Sequence, residues 1–235
     1  MTTDTHPKVA SWEHSLIFLV IVAGVTAAGL TAQGQPSAGG ELVASHASAL
    51  PIYLAASGLD WLLFFFVWRG IRAHGGRMAD IVGGRWSNPL IVLRDLALSA
   101  TFFGMLLAAT WGLSQLAGAT DAKSIENLLP QTPLEVGVWL FTCVTAGFCE
   151  EFVFRGYAQR QFLALTNSSV VAVVGQAALF GVMHSYQGLK PTAEIVVLGI
   201  LFGAVAAWRK TLRIGMLAHA SLDFWEGWLS RVVMH

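Results

Sequence analysis

The chain has 235 residues, of which 55% are hydrophobic and only 12% are charged, and its 14 basic residues balance 14 acidic ones. Soluble domains carry about 25% charged residues, so this composition excludes an ordinary soluble protein and indicates a chain embedded in lipid. The balanced charge also argues against nucleic-acid binding, which needs a basic surface.

Seven apolar stretches predict membrane helices, because a helix needs about 20 apolar residues to cross about 30 Å of hydrocarbon. They are Ser15 to Ala32, Ala49 to Val67, Leu90 to Leu116, Pro133 to Cys149, Val170 to His184, Ala193 to Trp208 and Ile214 to Val233. The first is predicted to be a retained helix, since no good small-residue cleavage site follows it. We predict an all-α, polytopic bundle of about seven helices, with eight as the alternative, forming one transmembrane domain over residues 1–235.

Three stretches in the second half are irregular. The fourth runs without a breaker into EEFVFRGYAQRQFLAL, which predicts one helix of about 30 residues that ends at Leu165. The fifth is short, and the seventh is interrupted by polar residues. Gly and Pro separate the stretches, and the segment from Gly75 to Gly84 is predicted to be a loop.

The basic residues predict the orientation of the bundle, because Lys and Arg favour cytoplasmic loops. With the N-terminus inside, the cytoplasmic side receives Lys8, Arg69, Arg72, Arg77, Arg85, Arg94, Arg155, Arg160, Arg209, Lys210 and Arg213. The other side receives Lys123, Lys190 and Arg231. We predict a cytoplasmic N-terminus, an external C-terminus and a location in the cell membrane.

Ionisable residues interrupt the apolar helices of the second half. They are Glu150, Glu151, Arg155, His184, His219 and Asp223. A charge at the bilayer centre costs about 3 kcal/mol, so such residues usually face a bundle interior or water. Pairs four residues apart, such as His219 and Asp223, share a helix face and can offer two ligands to one metal. Zinc accepts nitrogen and oxygen donors of this kind.

Each of these residues also has a structural interpretation. Glu151 and Arg155 can form an ion pair that joins helices, and His184 can be a hydrogen-bonded core residue. His219 can bond to the carboxylate that follows it by four. Asp60 and His46 are isolated in the sequence and are not predicted to be catalytic.

The aromatic run from Phe64 to Phe66 is predicted to face lipid or the membrane interface. Glu226 lies three residues beyond Asp223 and is predicted to be solvated at the interface rather than to join the site.

The ionisable residues resemble the three motifs of the CAAX-protease and bacteriocin-processing (CPBP, or Abi) family of intramembrane proteases, also called type II CAAX prenyl endopeptidases. EExxxR is matched by CEEFVFRGY, which contains the two glutamates and Arg155. FxxxH is matched by Phe180 and His184, and HxxxN or HxxxD by His219 and Asp223. The motifs stand in the family's order, and the resemblance covers residues 133–230, the expected catalytic core.

This resemblance implies hydrolysis of a peptide bond in a membrane-associated protein or peptide, by helices that surround a conical cavity. It implies that Glu150 and His184 activate the attacking water, and that His219 and the residue four beyond it support the oxyanion or a metal. It implies supporting roles for Glu151 and Arg155. The substrates that fit the family are prenylated tails, peptide precursors and membrane-anchored proteins with sorting tails. The expected environment of the protein is membrane lipid.

Asp223 departs from the prenyl-protein proteases of the family, which generally have Asn at this position. An Asn amide can donate a hydrogen bond to an oxyanion, whereas an ionised Asp can only accept one. Asp223 is therefore predicted to be protonated, a metal ligand or a partner of His219, which favours a metal-dependent mechanism. The expected ligands of Zn²⁺ are Glu150, His184, His219 and Asp223. A metal-free mechanism based on the glutamate is the alternative.

Two other function classes fit the same residues. Buried Glu, His and Asp can conduct protons in a proton-coupled transporter, although the chain lacks the repeat between halves that is often seen in secondary transporters. An immunity or scaffold protein of the same fold would be catalytically idle. Cleavage of a labelled peptide separates a protease from both.

Overall fold

A computed structural model describes residues 6–33, 48–117 and 129–234 of the chain. All regular secondary structure in these residues is helical, which confirms the all-α prediction. The eight helices are α1 (Trp12–Gln33), α2 (Leu50–Ala73), α3 (Met78–Val82), α4 (Pro89–Ala117), α5 (Pro133–Thr166), α6 (Ser169–Met183), α7 (Leu189–Arg209) and α8 (Arg213–Met234).

Five of these helices, α1, α2, α4, α5 and α7, are long and apolar enough to cross a membrane. All seven predicted apolar stretches are helical, but α6 has only 15 residues and α8 carries polar residues along its length. The predicted loop from Gly75 to Gly84 is wrong in part, because it contains α3. This short helix ends at Gly83, whose φ of 105° is accessible to glycine at little cost.

Helix α5 is the centre of the bundle and contacts α2, α6 and α8. It begins with a capping box: the Thr132 hydroxyl accepts a hydrogen bond from the Glu135 N–H, and the Glu135 carboxylate accepts one from the Thr132 N–H. Pro133 occupies the first turn, where its missing N–H costs nothing. The helix then runs unbroken to Thr166, as the sequence predicts.

The middle of α5 is a π-helix over Glu151–Ala158. The sequence predicts an ordinary α-helix here, and the structure differs from that prediction by this π-helical segment. All eight of its residues are buried. Short π-helical segments inside α-helices are rare and frequently lie at functional sites.

The aromatic run of α2 does not face lipid as a whole, contrary to the prediction. Phe64 is only 3% exposed and packs its ring on Phe148 and Phe152 of α5, at 5.3 and 4.9 Å between ring centroids. Phe65 points outward and is 51% exposed. Because a helix turns about 100° per residue, consecutive side chains cannot share one face.

Helices α5 and α8 approach closely at Gly147. A Cβ atom at this position would lie 2.8 Å from both the Ala220 nitrogen and the Met216 oxygen, which are backbone atoms that cannot move aside. We expect Gly147→Ala to lower the free energy of unfolding by about 1–3 kcal/mol, because the helices must separate.

The control for this substitution is Gly137→Ala in the same helix, where an added Cβ meets no atom within 4 Å. Unfolding of both purified variants in detergent, followed by circular dichroism, measures the difference. Equal stability of the two variants would contradict the close approach of α5 and α8.

Candidate active site

Two helical hairpins bring the polar residues of the second half to one level of the bundle. Helix α5 runs 16 residues from Glu150 to its end at Thr166, and α6 returns 15 residues from Ser169. The two helices are antiparallel, and Glu150 and His184 are at similar distances from the turn that joins them. His184 therefore lies beside Glu150. The connection between α7 and α8 acts in the same way and sets His219 against Phe202, with ring centroids 5.1 Å apart.

Glu150 is a carboxylate that lies near both histidines. Its Oε2 lies 3.5 Å from Nε2 of His219, and its Oε1 lies 4.0 Å from Nε2 of His184. The side chain is 17% exposed, so water can reach it. Glu150 therefore lies between two imidazole rings that come from two different helices.

The backbone determines which nitrogen of His184 can accept a hydrogen bond. Nδ1 of His184 lies 2.8 Å from the carbonyl oxygen of Phe180. A carbonyl only accepts, so Nδ1 must carry the proton and donate it. In the neutral ring, Nε2 then presents a lone pair toward Glu150.

His219 faces carboxylate oxygens with both ring nitrogens. Nδ1 lies 3.1 Å from Oε1 of Glu151, and Nε2 faces Glu150 at 3.5 Å and Oδ1 of Asp223 at 3.8 Å. Since ionised carboxylates only accept hydrogen bonds, a doubly protonated ring satisfies these neighbours best. The His219 side chain is only 8% exposed, which strengthens these interactions.

Glu151 and Arg155 form a buried ion pair beneath the histidine. Nη1 of Arg155 lies 2.9 Å from Oε1 of Glu151, and neither side chain is exposed. The guanidinium carbon lies 4.6 Å and 5.0 Å from the ring centroids of Phe180 and Phe202. The same carboxylate oxygen accepts from His219, so the pair positions that ring.

Asp223 is the most accessible member of the group, with a side chain that is 32% exposed. The structure therefore brings together Glu150, Glu151, Arg155, His184, His219 and Asp223. Residues of all three motifs therefore converge across α5, α6 and α8.

Two residues that the sequence analysis set aside also lie near this group. Asp60 of α2 interacts electrostatically with Glu150, His219 and Asp223, and Glu226 interacts with the last two. Asp60 meets the same criterion as the motif residues, a carboxylate in an apolar stretch, but it has no motif around it. His46, set aside with it, lies outside the described residues.

Tyr186 is a further residue near this group, and no feature of the sequence distinguishes it. Its ring stacks on that of His184, with centroids 6.2 Å apart. Partial burial and the carboxylates of Glu150 and Asp60 raise the pKa of the Tyr186 hydroxyl, so it keeps its proton at neutral pH.

The four expected metal ligands have suitable donor atoms, and zinc binding by them stays a prediction. Among the described residues, no group of three or more His, Cys, Asp or Glu is disposed to hold a metal ion. Tetrahedral zinc binds its ligands at about 2.0–2.2 Å, which sets neighbouring donors about 3.3–3.6 Å apart. Nε2 of His219 lies at such a separation from Glu150, 3.5 Å, whereas Nε2 of His184, at 4.0 Å, would have to move inward.

Comparison with known proteins assigns the second half of the chain to a family. Residues 132–225 match the family model described as type II CAAX prenyl endopeptidase Rce1-like. The match begins at the N-cap of α5 and ends within α8, so it contains all three motifs. No curated protein and no solved structure matches the chain. The resemblance found in the motifs is confirmed, and the chain is an integral membrane protein with a domain of an endopeptidase family.

Proposed function

We propose, from the Rce1-like domain at residues 132–225, that this chain is an intramembrane endopeptidase in which Glu150 activates the attacking water. The family match supports endopeptidase activity at the level of the family. The observation that carries the mechanism is the 4.0 Å separation between Oε1 of Glu150 and Nε2 of His184.

Both atoms that face each other across this separation are hydrogen-bond acceptors, so they do not bond directly. A water molecule that donates about 2.8 Å hydrogen bonds to two acceptors holds them roughly 4.4 Å apart. One water therefore fits between Glu150 and His184. Its oxygen lone pair is then directed away from both residues and toward an incoming carbonyl carbon.

The chemistry follows from this position. The water oxygen forms a bond to the scissile carbonyl carbon while its proton moves to the Glu150 carboxylate, as in general-base catalysis. The carbonyl oxygen becomes an oxyanion. When the carbon–nitrogen bond breaks, the protonated Glu150 returns the proton to the leaving amine, and the carboxylate is regenerated.

His219 is suited to stabilise the oxyanion. As an imidazolium it donates from Nδ1 to Glu151 and presents its Nε2 proton toward the reacting group. Donors that are held in place before the reaction contribute about 10²–10³ in rate. Glu151 and Arg155 act as positioning residues, because they hold the ring without touching the substrate.

The role of Asp223 is tested by Asp223→Asn. Glu150 and Glu151 already favour a charged His219, so we expect the Asn variant to keep proteolysis within about tenfold of wild type. An Asn amide can also donate to the oxyanion, as in the family's usual pattern. Cleavage of a labelled peptide by the purified variant is the measurement.

Asp223→Ala is the matched control, and we expect it to lose more activity than the Asn variant because it removes the polar group. A loss of more than about 100-fold in the Asn variant would show that the negative charge itself is required.

Zinc dependence stays a separate prediction. Glu150, His184, His219 and Asp223 would hold the ion once His184 moves inward, and zinc would supply polarisation of the scissile carbonyl. Elemental analysis of the purified protein, together with proteolysis after exhaustive chelation, distinguishes this scheme from the metal-free one.

We further propose a membrane-anchored or lipidated protein or peptide as the substrate, and a cell-membrane location with a cytoplasmic N-terminus. The function is tested by cleavage of a labelled peptide in proteoliposomes. Proton flux without cleavage would instead favour a transporter, and neither activity would favour an idle scaffold. Capture of bound proteins by an inactive variant, followed by mass spectrometry, identifies the substrate.

A further inference from the structure

A cavity separate from the candidate active site lies at the end of the bundle where α5 and α7 end and α6 begins. Its volume is about 490 Å³, which is within the range of ligand-binding pockets. Gln159 and Leu163 of α5, Ser169 of α6 and Lys210 after α7 line it. The catalytic residues Glu150, His184 and His219 are not among its lining residues.

The charged residues that line this cavity are mainly basic, although the chain as a whole has a net charge of zero. Arg155, Arg160 and Lys210 line it together with a single carboxylate, Asp80. Arg155 shares its charge with Glu151. The charges of Arg160 and Lys210 therefore exceed that of Asp80, and an anion would balance the difference.

Unused hydrogen-bonding groups support a polar occupant. Arg155 is 1% exposed, and its Nε and Nη2 have no hydrogen-bond acceptor among the described residues. Oε1 of Gln159 is likewise buried without a donor in that part of the chain. Buried polar atoms usually have partners, so these atoms point to a ligand or water. The first turn of α6, at Ser169, adds the positive end of a helix dipole.

The level of the cavity in the bundle indicates the class of anion. Two membrane-crossing helices, α5 and α7, end beside it at Thr166 and Arg209. The ends of membrane-crossing helices meet the headgroup region, where lipid phosphates lie. Basic pockets between helices at this level are suited to anionic headgroups, and apolar residues such as Leu163 and Ala206 complete the wall.

We propose that this cavity binds a phosphate-bearing anion, supplied by an acidic phospholipid headgroup or by soluble phosphate. Lys210 is the residue that tests it most cleanly, because it is exposed and takes a positive φ of 52°. Asn and Gly both tolerate this conformation, so Lys210→Asn and Lys210→Gly remove the charge and keep the backbone.

The experiment is a titration of the purified full chain in neutral detergent with short-chain phosphatidylglycerol, read as the shift in the unfolding midpoint. Phosphatidylcholine of equal chain length controls for detergent effects. Arg72→Gln is the matched variant, because it removes an exposed positive charge that does not line the cavity. We expect both Lys210 variants to weaken the apparent affinity at least fivefold, and Arg72→Gln to change it less than twofold.

A second arm uses inorganic phosphate alone. A rise in the unfolding midpoint with phosphate that the Lys210 variants lose identifies a soluble ligand. A rise with phosphatidylglycerol but not with phosphate identifies a lipid headgroup. The proposal is overturned if phosphatidylglycerol stabilises no more than phosphatidylcholine and phosphate has no effect, or if Arg72→Gln loses as much as the Lys210 variants. Because the readout is binding, it is independent of proteolysis.

Discussion

Glu150→Gln protein is expected to lose at least about 10³-fold in proteolysis while it unfolds at nearly the wild-type midpoint. The substitution keeps the size of the side chain and one acceptor oxygen, but its amide cannot take up the proton of the attacking water. General-base catalysis contributes about 10²–10⁴ in rate, and the same group also returns the proton to the leaving amine. Cleavage of a labelled peptide in proteoliposomes is the measurement.

The matched control is Glu13→Gln, the same chemical change at an exposed position of α1. We expect this variant to retain full activity. Wild-type proteolysis by Glu150→Gln would remove the glutamate from the mechanism, and would leave the 4.0 Å separation from His184 without a catalytic meaning.

Arg155→Met is expected to lower the free energy of unfolding by about 3–5 kcal/mol. Removal of one partner of a buried ion pair leaves the other charge without compensation. Here that charge is Glu151, whose side chain has no exposed surface and keeps only the hydrogen bond from His219. Because Glu151 also accepts from His219, the substitution should lower proteolysis as well, although Arg155 touches no reacting atom.

A double-mutant cycle separates the pair from the general loss of packing. We expect Glu151→Leu combined with Arg155→Met to be less destabilised than the sum of the two single variants, since the combination leaves no unpaired charge. Arg72→Met, at an exposed position, should cost less than about 0.5 kcal/mol. Strict additivity, measured by unfolding in detergent, would show that the pair contributes no coupling energy.

Much of the helical architecture is predictable because the signal is local. A run of apolar residues is sufficient to define a helix in lipid, where each backbone group must bond within its own segment. The extension of α5 to Thr166 follows from the absence of proline after Glu150, and the single Gly156 does not end the helix. The prediction fails at α3 and at the π-helix, where no local pattern distinguishes these forms from a loop or an α-helix.

Asp60 shows the limit of reasoning from motifs. It stands alone in α2, about 90 residues before Glu150, and spacing along the chain gives no indication that the two carboxylates interact. Phe64 shows the same limit for burial. Its neighbour Phe65 has the same chemistry, and only the packing of α2 on α5 distinguishes the buried ring from the exposed one.

The membrane class, the long helices and the candidate residues are predictable from the amino-acid order alone, because hydropathy and motif spacing are properties of consecutive residues. The meeting of Glu150, His184 and His219, and the distances between them, follow from the packing of the helices. These contacts join residues 34 or more positions apart, and the approach of His184 to Glu150 depends on their similar distances from the turn between α5 and α6. The fold also determines that Nε2 of His184 faces Glu150, since Nδ1 is hydrogen-bonded to the carbonyl of Phe180.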